Sequence, residues 1–367
     1  MSPRKLLFVA KMTRFARATF TISRYARAAQ ALGHEVAVFG EESSEFPSVP
    51  HSLDVKRFDF AVFVVCDASD FPDLPYLAQL LDAAPKQRRI LIDCGGRYND
   101  TVRIEHDFNH LEKIDGHQGW EWIEGFQAVS DKILQPTLKP LRPDVRPFLF
   151  HGFDPAEVAR PYASAAEAAQ AWSSRNGGGE RLGVAYAGNN WQRWTQVRKF
   201  LEASEPLRKD LGGVRIAGWD WDRRPEWAIQ LGIQGVDVDP EWLGQIGVQT
   251  QTAVPFDEVT SFLGQARFSP VLHRPLFNEL GLVTNRTFQT FCADTIPLLA
   301  LPEDLVEAIY GPEARLLRVG DDTADRLRDM MRRPEPYWEA VLKTRQYLAQ
   351  HHSFERRFQE LSAILES

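Results

Sequence analysis

Short apolar runs alternate with amphipathic helical stretches from the first residues of this chain, and the alternation restarts once, about halfway along. Lys5 to Ala10 reads as a buried strand, Thr19 to Leu32 as a helix ended by Gly33, and Glu35 to Phe39 as the next strand. Ala61 to Val65, Arg89 to Asp93 and Ala128 to Ser130 continue the series, which closes at Pro147 to Phe150. Such β-α-β alternation demands a parallel sheet with helices on both faces. An Ala-rich stretch then leads to a flexible loop at Gly177-Gly178-Gly179. Strands follow at Leu182 to Tyr186, Val214 to Ala217, Phe268 to Leu272, Ile296 to Leu299 and Leu316 to Val319, with a helix over Thr195 to Ser204. The last stretch, Pro336 to Ser367, is helical. A chain of 367 residues exceeds one ordinary core. The expectation is α/β, with two doubly wound domains at residues 1–155 and 180–350. Ligands of such sheets bind at the carboxyl ends of strands, so function belongs in the cleft between them.

Composition narrows the classes. A hydrophobic share of 44% and a charged share of 25% are those of a soluble globular protein. A net charge of −7 argues against a nucleic-acid partner. The longest apolar runs, such as Phe60 to Cys66, are far short of a membrane span, and Leu6 to Ala10 is too short for a signal-peptide core. Cys66, Cys94 and Cys292 are odd in number and lack a CxxC, which reads as reduced thiols in a cytoplasmic protein. There is no P-loop, GxGxxG, GxSxG or HExxH. Asp220-Trp221-Asp222 and Asp237-Val238-Asp239 both match a DxD metal pattern, and its occurring twice favours solvated loop carboxylates. His106 and His110 stand at i,i+4 without a third ligand, so no metal is expected. Trp219, Trp221 and Trp227 either wall a cleft or pack a core.

Three stretches carry more specific chemistry. Thr284-Asn285-Arg286-Thr287 stands against an apolar helical run, Phe288 to Ala293. A plain loop would turn with Gly and Pro. Hydroxyls, an amide and a guanidinium at a helix's first turn, where backbone N–H groups are free, favour an anion. Gly188-Asn189-Asn190 ends the first strand of the second half; it is either a simple turn or a place where a ligand approaches the backbone. Before Glu35 there is no acidic residue, yet Arg4, Lys5, Lys11, Arg14, Arg17, Arg24 and Arg27 are basic. Lys11, Arg14 and Arg17 follow the first strand and face the cleft. An anionic substrate, an anionic membrane surface or a solvated basic helix face would each explain them.

"VAYAGNNWQR" (Val184 to Arg193), "PLFNELGLVTNRTFQTFCADTIPLL" (Pro275 to Leu299) and "HHSFERRFQEL" (His351 to Leu361) occur in an ordered set. That set resembles the CgeB-type, spore-maturation-protein-like glycosyltransferases of the GT-B group. The resemblance covers Gly183 to the C-terminus well. Over residues 1–150 it is weaker, through "SDKIL" and "FLFHGFDP". It implies two Rossmann-like domains facing a central cleft, with a C-terminal helix, about 351–367, packed back on the first domain. It further implies a nucleotide-diphosphate sugar as co-substrate, bound by the second domain without a metal or other cofactor, and an acceptor on the first.

Carried over position by position, Gly188, Asn189 and Asn190 face the diphosphate, with Arg193, Arg274, Asn285, Thr287 and Gln289 in the same donor site. Arg286 neutralises the leaving group. Lys11, Arg14 and Arg17 are assigned to an acceptor that is anionic or membrane-associated, which would put the protein at the inner membrane surface. If the enzyme inverts configuration it needs a base; Asp93 is the first choice, with His106 and Asp107 behind it. One departure stands out: the family's Arg-x-Phe-Glu is Arg286-Thr287-Phe288-Gln289 here. Losing that charge weakens a ribose hydrogen bond, since bonds to charged groups contribute about 1.5–3 kcal/mol against about 1 for neutral ones. Restoring Glu at 289 is therefore expected to strengthen nucleotide binding. The rival reading is a non-catalytic GT-B-like module that binds a sugar nucleotide or a protein partner.

Overall fold

The computed structural model describes residues 3–46, 49–65, 77–99, 116–174, 182–230 and 235–366. Their strands form two all-parallel sheets. The first contains β1 Lys5–Val9, β2 Glu35–Phe39, β3 His51–Ser52, β4 Phe60–Val65, β5 Arg89–Asp93, β6 Ile133–Gln135 and β7 Val145–Pro147, in the order β3-β2-β1-β4-β5-β6-β7. The second contains β8 Leu182–Ala187, β9 Gly213–Ala217, β10 Val248–Gln251, β11 Phe268–Leu272 and β12 Ile296–Ala300, in the order β10-β9-β8-β11-β12.

The apolar runs are continuous because both faces of each sheet are covered. Along β1, Leu6 and Phe8 enter one apolar layer while Leu7 and Val9 enter the other. In β8 the division is Val184 and Tyr186 against Ala185 and Ala187. Strand order reverses between β1 and β4 and again between β8 and β11. Such switch points open a crevice at the carboxyl ends of the strands.

The chain crosses back at its end. Helix Pro334–His351 packs Trp338, Val341 and Leu348 into the layer of the second sheet. The next helix, Phe354–Glu366, buries Phe354, Phe358, Leu361 and Leu365 with Leu6, Phe8 and helix Arg17–Ala31. At the crossing, the Phe153 N–H donates to the His352 carbonyl at 2.8 Å. Gly152 permits that approach, because a Cβ there would lie 2.9 Å from the same carbonyl oxygen. No helix among the described residues is long and apolar enough to cross a membrane.

Two expected strands are absent. Ala128 to Ser130 ends helix Gly116–Val129, and the strand begins at Ile133. The Ser130 hydroxyl donates to the Arg89 carbonyl at 2.7 Å and accepts the Lys132 N–H at 2.9 Å, turning the chain before it can pair. Leu316 and Leu317 lie in a 3-10 helix, Pro312–Leu317, and only Arg318 bridges to β12, at Leu299. Pro312 sets φ for the helical turn, and the apolar residues are buried from that turn instead.

The last helix thus completes the first core. Phe358→Ala should cost about 3–5 kcal/mol, read as a lower urea midpoint for the transition of the first half.

Candidate active site

A cavity of about 220 Å³ opens between the sheets. Gly188 and Asn189 after β8, Ala217 and Trp219 after β9, and Arg274 after β11 form one side of it. Asn285, Arg286 and Gln289 present the first turns of helix Asn285–Cys292 to the same space. The loop after β1 supplies Lys11, Thr13 and Phe15 as the facing wall. Lys11, Arg193, Arg274 and Arg286 line the cavity, and none of its described lining residues is acidic. The sign of charge is therefore opposite to that of the whole chain, which carries −7.

Local structure fixes these groups. Thr284 adopts an extended conformation before the helix, and its N–H donates to Thr287 Oγ1 at 3.2 Å. Asn285 Nδ2 donates to Gln289 Oε1 at 3.0 Å, one turn on. Asn285 Oδ1 is buried and finds no hydrogen-bond partner in the protein. Buried polar atoms are rarely left this way, and Asn285 lines the cavity. A ligand that donates to the amide oxygen would satisfy it. The Arg286 guanidinium lies 5.0 Å from the centre of the Tyr186 ring. It also occupies the space that a side chain at 188 would need, so Gly188 is required by this contact. Arg193 Nη1 donates to the Asn189 carbonyl at 3.1 Å.

His273, at the end of β11, had no role in the sequence reading. It is buried, its Nε2 lies 3.3 Å from Thr287 Oγ1, and Nδ1 has no partner. Burial, reinforced by the Arg286 and Arg193 cations, lowers its pKa to about 3, so the ring is neutral at physiological pH. Its position at a strand's carboxyl end, beside Arg274, was the available signal.

Other expected residues lie elsewhere. Asn190 is fully buried, and its Nδ2 donates to the Asp220 and Val236 carbonyls at 2.9 and 3.2 Å, joining loops behind the cavity. Thr287 is buried in its capping contacts. Asp93 is fully buried and is not in the cavity lining. Its carboxylate accepts from the Gly95 and Tyr98 N–H groups at 3.2 and 2.8 Å and from Gln135 Nε2 at 2.9 Å. This geometry organises the turn after β5. His106, Asp107 and His110 lie outside the described residues, as do the side chains of Arg17 and Trp227.

The basic start of the chain is largely used in ion pairs. Arg14 binds Asp257 and Glu258 at 2.7 and 2.8 Å, across the cleft. Arg24 pairs with Glu157, Arg27 with Asp154 and Glu157, Arg4 with Glu366, and Lys5 with Glu35. Of the expected acceptor cations whose side chains are described, Lys11 lines the cavity and Arg14 does not.

The two DxD stretches serve as loop carboxylates. Asp220 accepts from Trp191 Nε1 at 3.0 Å, Asp237 pairs with Arg224, and Asp239 accepts the Trp242 N–H at 2.9 Å to cap a helix. Among the described residues no three His, Cys, Asp or Glu side chains could together hold a metal. Trp221 is core, with its indole N–H on the Gly188 carbonyl at 2.7 Å. Trp219 instead is 39% exposed at the cavity rim, 5.6 Å from the ring of Phe15 and 6.1 Å from that of Trp191. Sequence pattern had marked Trp219 but neither of its partners: Trp191 reaches it because β8 and β9 pair, and Phe15 reaches it from the other sheet.

No protein-family model and no curated protein matches this sequence. Solved structures do match over its whole length. An α-glucosyltransferase in complex with UDP and a 13-mer DNA containing an HMU base aligns with TM-score 0.63 at 12% identity, covering 100% of each chain. The same enzyme with UDP-glucose and DNA containing an abasic site aligns with TM-score 0.62 at 12% identity, covering 99% of each. T4 phage β-glucosyltransferase in complex with UDP and Mn2+ aligns with TM-score 0.55 at 11% identity, covering 100% of each. These neighbours are GT-B glycosyltransferases. The chain accordingly has the GT-B fold, two Rossmann-like sheets facing a cleft with the last helix returned to the first.

Two outcomes follow from this geometry. Asp93→Asn would turn an amide N–H toward backbone donors and should cost about 1–3 kcal/mol of stability, measured by denaturant titration. Below pH 6.5 the unfolded chain protonates His273 and His352, whose folded values are both about 3. Stability should therefore fall as pH drops from 6.5 toward 5, by up to about 1.4 kcal/mol per unit for each ring. His273→Gln should flatten that slope.

Proposed function

We propose that this chain is a glycosyltransferase of the CgeB type, moving a sugar from a nucleotide diphosphate to an acceptor at the first domain. The observation that carries the proposal is the cavity lined by four cations and no described acid, at the N-terminus of an eight-residue helix. Fixed donors of this kind stabilise the negative charge that grows on a departing diphosphate. Arg286 and Arg193 face that diphosphate, with the N–H groups of the helix's first turn. The apolar end, Ala217, Val254, Val259 and Leu263, suits a flat nucleobase. Arginine, charged at any working pH and forked, does here what a metal does in other transferases. The UDP and UDP-glucose of the structural neighbours make uridine the first nucleotide to try.

The acceptor enters over the rim formed by Phe15, Trp191 and Trp219. DNA is bound by the α-glucosyltransferase neighbour. The pairing of Arg4, Arg14, Arg24 and Arg27 with acids, which leaves these cations engaged within the protein, argues against it here. We place the protein in the cytoplasm, where nucleotide sugars are available.

UDP, GDP, ADP, TDP and CDP should be compared by thermal shift. At about 100 times Kd a ligand adds about 2.7 kcal/mol, which raises Tm by roughly 5–10 °C. One diphosphate should give that shift with and without EDTA, and Arg286→Ala should abolish it. No shift from any of them would overturn the donor site. A shift without turnover of the matching sugar nucleotide would favour the non-catalytic module.

A further inference from the structure

Gln289 lines the cavity, yet both ends of its amide are bound to protein. Nε2 donates to the Phe256 carbonyl at 2.7 Å, and Oε1 accepts from Asn285 Nδ2 at 3.0 Å. A carbonyl only accepts, so the partner dictates which way this amide points. Phe256 continues the connection: its own N–H donates to the Arg14 carbonyl at 2.9 Å, on the opposite wall. The Arg14 side chain returns to Asp257 and Glu258, and the Phe20 and Phe256 rings lie 6.4 Å apart. A line of hydrogen bonds therefore runs from the first turn of helix Asn285–Cys292, through residue 289 and the 253–258 loop, to the first domain.

We propose that Gln289 is a positioning residue that holds the 253–258 loop, and through it the Arg14 loop, closed over the cavity. The Arg14 ion pairs are about half exposed, and exposed pairs contribute little. Gln289 is 3% exposed and its bond to Phe256 is part-buried, so it is shielded from water better than those ion pairs and its loss costs more. A carboxylate at 289 would set oxygen against oxygen with no proton between them. Gln289→Glu should thus open the loop, opposite in sign to the tighter nucleotide binding that the family pattern predicts. The inference builds on the proposed function only in what the cavity holds, since the line of hydrogen bonds runs through protein groups alone.

The test is hydrogen exchange on the full chain without ligand, following the peptides that contain 253–258 and 11–16. In Gln289→Glu both should exchange at least about tenfold faster, the change expected when a hydrogen bond is lost and its acceptor meets a carboxylate, while β11 is unchanged. Gln289→Met, which removes the bond without adding charge, should show a smaller effect on the same two peptides and serves if the Glu variant does not fold. Asp257→Asn with Glu258→Gln should change little. Release of 253–258 with 11–16 unmoved would reduce Gln289 to packing within the second domain and overturn the proposal, as would no change in either peptide. UDP added to the unmodified protein reports separately on the donor site, so the two readings can fail independently.

Discussion

The Arg286 guanidinium can rest at the end of β8 only because residue 188 has no side chain, and the cleft is arranged around that contact. The contact needs a helix that begins at Asn285, beneath the carboxyl end of the sheet, and Thr284 and Thr287 start the helix there. It needs Tyr186 as an aromatic surface below the cation. It also needs a neutral neighbour, which burial provides by keeping His273 unprotonated beside Arg193 and Arg286. A charged imidazole there would add a third cation without adding a hydrogen-bond acceptor.

Charge in this molecule is sorted into two uses. Most cations of the first helix and its flanks are struts, tied to acids at Asp154, Glu157, Asp257, Glu258 and Glu366. Those ties join the first sheet to the connector, the second sheet and the last helix. Lys11, Arg193, Arg274 and Arg286 meet in a cavity whose described lining has no acid. Low local dielectric makes their field stronger there than on the surface. An overall charge of −7 and an anion-binding cleft are thus compatible, because net charge says little about where charges are placed.

Much of the fold was legible because buried parallel strands are written as continuous apolar runs. Arg89 to Asp93 and Phe268 to Leu272 are strands where the pattern put them, and the run Lys5 to Ala10 is a strand over Lys5–Val9. The two misplacements share a cause: Ala128 to Ser130 and Leu316 to Val319 are short apolar runs that a helical turn can bury as well as a strand can. Gly188, Asn189, Arg193, Arg274, Asn285, Arg286 and Gln289 line one cavity, since each follows a strand or lies in the first turns of a helix on the same edge.

The amino-acid order by itself determined the period of the strands, the two-sheet division and the polar first turn at Thr284 to Thr287, because these depend on neighbours in the chain. Which cations remain in the cavity depended on partners far away in sequence, such as Asp257 for Arg14 and Glu157 for Arg24. The same holds for Asp93, drawn into the turn by Gln135, and for Gln289, claimed by the Phe256 carbonyl. A side chain's role is decided by what lies within about 3 Å of its polar atoms, and only the closed tertiary structure sets that distance.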